Sequence, residues 1–197
     1  MTQAEIRSRY ALIIRLPREA EVRIEDTFLS VIGATKPAMG YHLTLLGPYR
    51  LAPGVTLPHL PAIAHVCRQT RPFEVRLAGL GVFRTEDNNA VYLSVADPEP
   101  VLALHTQLLR VVGQFVVPEN EQLRIWTIDN YSPHVTLGLH MTDDDLEEFL
   151  RVGRHRQIDV EFHVQTVCLV EQVLSGPWEY TAEYSLSAEP SQTGPSA

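Results

Sequence analysis

The chain has 197 residues, 45% of them hydrophobic and 20% charged, with a formal net charge of −8 at pH 7. That is enough for one domain with a sizeable core, or for two small lobes sharing one. The acidic balance lacks the broad positive field of a non-specific nucleic-acid binder, which argues against a DNA duplex as partner; if the protein handles nucleic acid, the expectation is an end or a small nucleotide.

In chain order, the first ten residues carry Arg7 and Arg9, but the apolar run 11–16 is too short for a signal-peptide core or a membrane span. Residues 10–16 (YALIIRL) read as a strand ended by Pro17. Residues 19–32 keep helical spacing through Val22, Ile24, Phe28, Leu29 and Ile32, with Gly33 as a stop. A strand over 41–47 (YHLTLLG) ends at Gly47-Pro48. The helical signal over 57–70 is weaker, because Pro58 and Pro61 crowd its first turn. Residues 73–83 (FEVRLAGLGVF) open with strand alternation at Phe73, Val75 and Leu77, and 90–96 (AVYLSVA) form a strand stopped by Asp97-Pro98. The strongest helix is 98–115, with Val101, Leu102, Leu104, Leu108, Leu109 and Val112 on one broad face. A strand at 135–139 precedes a helix over 142–152, which opens on a capping-box-like Thr142-Asp-Asp-Asp145. Strand signals over 158–170 and 180–186 follow, and 188–197, rich in Ser, Pro and small residues, read as a disordered tail.

Cys67 and Cys168 lack C-x-x-C spacing and make neither a disulfide framework nor a zinc site. A reducing compartment is their default setting. The expectation is a cytoplasmic monomer with no membrane partner and no cofactor.

Aligned on these elements, the chain is a weak internal repeat. Strand, helix, loop, strand, helix and long strand occur over 10–88 and again over 89–187. The expected organisation is a single two-lobed domain over 1–187, with one lobe from each repeat. The main departure is the segment 116–133, which is clearly longer than its counterpart 33–41.

The chemistry sits in two equivalent places of that repeat, His42-Leu-Thr44-Leu45 and His134-Val-Thr136-Leu137. Residues two apart on a strand share a face, so each motif presents an imidazole beside a hydroxyl while Leu43, Leu45, Val135 and Leu137 point into a core. With 14 threonines and 8 histidines in 197 residues, chance supplies about half a His-x-Thr match, and the chain has three. The third, His140-Met-Thr142, lacks the following aliphatic, and Thr142 already serves as a helix cap.

These motifs resemble those of the 2H (two-histidine) phosphoesterases, which include RNA 2′,3′-cyclic phosphodiesterases and 2′-5′ RNA ligase-like proteins. The resemblance runs over about 10–187 and takes in Gly47-Pro48 and Ser175-Gly-Pro-Trp178. It implies an α+β fold: two pseudo-symmetric lobes, each an antiparallel sheet with helices on its outer face, enclosing a central cleft with both motifs on its floor. It also implies His42, His134, Thr44 and Thr136 as the catalytic set, with no metal.

The physical chemistry agrees with that assignment. Opening a cyclic phosphodiester needs a base for the attacking water and an acid for the leaving ribose oxygen. Imidazole suits both, with its pKa near 6.5. Each threonine hydroxyl can donate to a non-bridging phosphoryl oxygen as charge builds there. The near symmetry leaves acid and base unassigned. Weaker substrate-binding candidates are Arg84, Tyr92, Tyr131 and Trp178, the aromatics as platforms for a base; their ordinary reading is packing or a solvated strand end. Tyr41 and Lys36 are weaker still. The long segment 116–133, with Trp126 and Tyr131, is expected to set substrate choice. Three other readings compete: a non-catalytic nucleotide or RNA-end binding module, a 2′-5′ phosphodiesterase or ligase, and a metal-dependent hydrolase, disfavoured because no Asp/Glu/His cluster has ligand spacing.

Overall fold

The computed structural model describes residues 8–52, 55, 59–84, 89–118 and 130–188. Its elements are β1 (Ser8–Arg15), α1 (Arg18–Phe28), β2 (His42–Leu51), α2 (His59–Gln69), β3 (Phe73–Phe83), β4 (Asn89–Val95), α3 (Glu99–Val112), a 3-10 turn (Gly113–Phe115), β5 (Val116–Pro118), β6 (His134–Met141), α4 (Asp143–Gly153), β7 (Asp159–Val164), β8 (Thr166–Val173) and β9 (Trp178–Ser185).

The strands form one curled antiparallel sheet in the order β7-β3-β4-β6-β2-β1-β8-β9, with β5 added beside β2. The order is symmetric about its middle, where β2 meets β6 through Leu43 and Val135. Helices α2 and α3 pack on the half containing β2 and β9, while α1 and α4 pack on the half containing β4, β6 and β7. The expected α+β architecture is therefore present.

Strand periodicity assigns the two faces. On β1, Leu12 and Ile14 enter the main core with Ile24 and Phe28 of α1, while Ala11 and Ile13 turn the other way. There they join Cys168 and Val170 of β8 in a small second cluster, packed by Met39 and Trp178. The N-terminal cap of α4 follows its sequence signal: the Thr142 hydroxyl accepts from the Asp145 N–H at 3.1 Å and donates to its carboxylate at 2.8 Å.

Three details differ from the sequence reading. The lobes do not follow the chain halves, because the repeats exchange strands. β3 of the first repeat pairs with β4 of the second, and β8 of the second pairs with β1 of the first. Residues 158–170 are two strands: β7 pairs with β3, and β8 with β1 in the other half. And β2 does not stop at Gly47-Pro48 but runs through that cis bond to Leu51. A register shift between Tyr10 and Leu12 accommodates it. Gly47 is required there, with φ of 129° and no room for a Cβ, which would fall 2.6 Å from that of Ala11.

Trp126, most of the 116–133 segment (119–129) and the tail beyond 188 lie outside the described residues. Among the described residues no helix is long and apolar enough to cross a membrane.

Candidate active site

Each His-x-Thr-x motif opens one of the two central strands, with His42 first in β2 and His134 first in β6. Leu43, Leu45, Val135 and Leu137 are buried in the main core, and His42, Thr44, His134 and Thr136 are half-buried on the opposite face. The antiparallel Leu43–Val135 pair sets the register. One residue to either side, His42 lies across from Thr136 and Thr44 from His134. The two histidines are diagonal neighbours, a relation that spaces residues roughly 7–8 Å apart and admits a phosphate between the imidazoles.

The fourth residue of each motif makes a bulge. Between β1 and β2 the register steps from Ile13–Thr44 to Leu12–Leu46, and between β4 and β6 from Tyr92–Thr136 to Val91–Gly138. Leu45 and Leu137 are thus the extra residues of two equivalent β-bulges, a device that re-aims adjacent side chains. Each carbonyl is taken up from outside the ladder. His105 Nδ1 donates to Leu45 at 2.7 Å, and the Thr35 N–H donates to Leu137 at 2.8 Å. The Tyr131 hydroxyl donates to the Thr44 carbonyl at 2.7 Å while its ring stacks on His105 with centroids 3.9 Å apart.

Both imidazoles are oriented alike. His42 Nδ1 lies 3.0 Å from the Gly40 carbonyl, and His134 Nδ1 lies 2.7 Å from that of Ser132. A carbonyl can only accept, so Nδ1 carries the proton and Nε2 holds the lone pair of the neutral ring. The turn at Gly40 is held by Glu21, a buried carboxylate of α1 that accepts from the Tyr41 N–H at 2.9 Å. Gly40 has φ of 81°, and a Cβ there would meet Glu21 Oε1 at 2.2 Å. Burial pushes both imidazoles below the ordinary histidine pKa, against the raising effect of the carbonyl bonds, and the like charge of His42 lowers His134 further.

An aromatic wall stands on the β6 side. Phe83 and Tyr92 stack with centroids 4.3 Å apart, and both contact His134, at 4.9 and 5.0 Å. Tyr92 lies across Gly81, where a Cβ would come within 2.2 Å of its ring. On the β2 side, Arg15 is the β1 partner of His42.

A sequence profile of the 2′-5′ RNA ligase superfamily matches residues 24–175, most of the chain and both motifs. The chain belongs to the 2′-5′ RNA ligase superfamily. Among solved structures, protein TT0787 of Thermus thermophilus superposes with a TM-score of 0.63 at 24% identity, covering 92% of this chain and all of that one. Apo E. coli LigT gives 0.60 at 17% identity, over 92% of this chain and 98% of its own. These likenesses establish the shared fold. A Bacillus pumilus (strain SAFR-032) protein with a provisional phosphoesterase name is 24% identical over 148 residues, 75% of this chain and 80% of that protein.

In this superfamily member the four motif residues come together as the sequence pattern implies, with Tyr92 beside them. The other candidates make contacts of their own. Tyr131 turns its ring to His105 and its hydroxyl to the Thr44 carbonyl, the contacts of a strut beneath the motif. Trp178 packs on the second cluster with Arg9 over its ring at 5.6 Å. Arg84, largely exposed, sits 3.8 Å from Asp143 at the start of α4. Lys36 is paired with Glu25 at 2.6 Å, and Tyr41 is buried. The sequence reading missed Phe83, which is 38% exposed beside His134, and Arg15. Strand register, once known, points to Arg15, and the ring contact with His134 points to Phe83. Among the described residues no group of three His, Cys, Asp or Glu side chains could hold a metal ion.

Proposed function

We propose that the protein is a phosphodiesterase that hydrolyses a 2′,3′-cyclic phosphate on an RNA end or a small nucleotide, with His42 and His134 as general acid and base. The observation that carries this reading is the matched orientation of the two imidazoles. Each has Nδ1 fixed on a carbonyl two residues upstream, so each offers Nε2, and they sit diagonally across the one point where the two halves of the sheet meet.

The reaction needs one neutral and one protonated ring. The neutral ring takes a proton from water as its oxygen attacks phosphorus; the protonated ring gives its proton to the ribose oxygen as the P–O bond breaks, leaving a phosphomonoester. Thr44 and Thr136 have no hydrogen-bond partner for their hydroxyls among the described residues. Each is placed to donate to a non-bridging oxygen, where negative charge grows in the transition state. Acid, base and charge stabilisation are thus all supplied by side chains, and no metal is required. Phe83, exposed beside His134, supplies the face for a base; such stacking is worth about 1–3 kcal/mol. E. coli LigT has been crystallised with 3′-AMP, phosphate, ATP and NADP+, ligands whose phosphates and bases are the groups this cleft is proposed to take.

The test is a panel of nucleoside 2′,3′-cyclic phosphates, cyclic-phosphate-ended RNA and 2′-5′-linked dinucleotides, assayed with excess chelator and with products identified. Metal-free conversion of the cyclic phosphates to monoesters is expected. Turnover of the 2′-5′ dinucleotides alone would move the activity to that linkage. Binding without turnover would make the protein a binding module, and activity abolished by chelator would make it a metal-dependent hydrolase.

A further inference from the structure

We propose that Arg15 forms a second anion subsite, so that the preferred substrate carries a phosphate on the 5′ side of the reacting nucleoside, as an RNA 3′ end does. The inference rests on the nucleotide reading of the cleft given above.

Arg15 is the Cα partner of His42 in the β1–β2 ladder. It lies on the same face of β1 as Ala11 and Ile13, opposite the core-facing Leu12 and Ile14. Its side chain is exposed, and no carboxylate lies within ion-pairing distance of it among the described residues. The guanidinium lies over the Tyr180 ring, 5.4 Å from its centroid. The Tyr180 hydroxyl donates in turn to the Met39 carbonyl at 3.1 Å, in the turn that delivers Gly40 and His42. A guanidinium stacked on an aromatic face keeps its edge N–H groups available and loses little entropy on meeting a phosphate.

The charge breaks the symmetry of the site. Under the twofold relation of the sheet, the residue equivalent to Arg15 is Ser94, the β4 partner of His134. A symmetric set of two histidines and two threonines accepts a cyclic phosphate in either of two orientations. Phe83 on the His134 side and Arg15 on the His42 side select one. In a nucleoside 2′,3′-cyclic phosphate the base leaves the ribose next to the 2′ oxygen, and the 5′ substituent leaves it next to the 3′ oxygen. A base on Phe83 therefore directs the 5′ side toward Arg15.

A neighbouring carboxylate limits where the anion can sit. Glu183 and Glu21 line a pocket of about 330 Å³ at this strand end, together with Arg15, Arg18 and Cys168. Glu21 is engaged by the Tyr41 N–H and Arg18. Glu183 approaches the Cys168 thiol at 3.9 Å and opposes an anion inside the pocket. The subsite is the side of Arg15 that faces His42.

The test compares binding of adenosine 3′-monophosphate and adenosine 3′,5′-bisphosphate by calorimetry, at one fixed low ionic strength, to the wild type, Arg15→Gln and Arg15→Lys. One charge-assisted contact predicts a preference for the bisphosphate on the order of tenfold in the wild type. That ratio should fall to about one in Arg15→Gln and be partly kept in Arg15→Lys. The ratio is internal to each variant, so a loss of folded protein does not mimic the result. A wild-type ratio near one, a ratio retained in Arg15→Gln, or equal weakening of both nucleotides by that substitution overturns the subsite. Failure of the wild type to bind either nucleotide overturns the nucleotide reading of the cleft, and the subsite with it.

Discussion

Replacing Tyr131 with phenylalanine removes one oxygen and little else, because the ring keeps its stack on His105. The lost contact is a 2.7 Å hydrogen bond to the carbonyl of Thr44, made by a hydroxyl whose pKa burial pushes far up. Leaving a buried acceptor without its donor costs about 1–3 kcal/mol. In a domain of this size each 1 kcal/mol lowers Tm by roughly 2–4 °C, so a loss of about 2 kcal/mol predicts a shift of roughly 4–8 °C. The same bond fixes Thr44 beside the bulge at Leu45. Its loss should lower kcat on the best cyclic phosphate roughly tenfold, since small displacements of a positioning group are costly, with little change in KM. Thermal unfolding and steady-state kinetics on one preparation measure both. An unchanged Tm with a raised KM would show that Tyr131 meets the substrate and would refute its role as a strut.

Three further outcomes are expected. Thr44→Val and Thr136→Val should each lower kcat by about 10–100-fold with KM nearly constant, because the lost donor serves the transition state; a change confined to KM contradicts that role. The active form carries one proton on the histidine pair, and both imidazole pKa values lie below the usual 6.5. The bell of kcat/KM against pH should therefore peak on the acid side of 6.5, losing the base as pH falls and the acid as pH rises; a maximum above 7 contradicts the lowered values. Gly81→Ala should drive Tyr92 off β3 at a cost of about 1–3 kcal/mol, and adding Tyr92→Ala should recover stability in denaturant titrations; no recovery would mean that the clash lies elsewhere.

Much of this arrangement is legible in the sequence, and the parts that are not have physical reasons. Strand periodicity at Leu43, Leu45, Val135 and Leu137 placed both motifs with their polar side chains on one face, because burial of alternate residues leaves no other choice. The Thr142 cap was readable because capping is local. Strand exchange between the repeats was not, since which strands pair is a long-range matter of the sheet. The Gly47-Pro48 signal reads as a stop but is not one, because a bulge lets a strand pass a residue without an N–H. Tyr131 and Trp178 were indistinguishable in sequence from Phe83, for an aromatic ring serves a core and a base equally well. Only the positions of His105, Arg9 and His134 separate them.

The measurement closest to the central claim is the single-turnover rate of His42→Ala and of His134→Ala on the best cyclic phosphate, each beside the double variant. General acid–base catalysis by each ring predicts a loss of about 10²–10⁴-fold in either single variant. The double variant should lose far less than the product of the two, because the rings act as a unit. Near-full activity in either single variant, with the fold intact, would contradict a two-histidine mechanism.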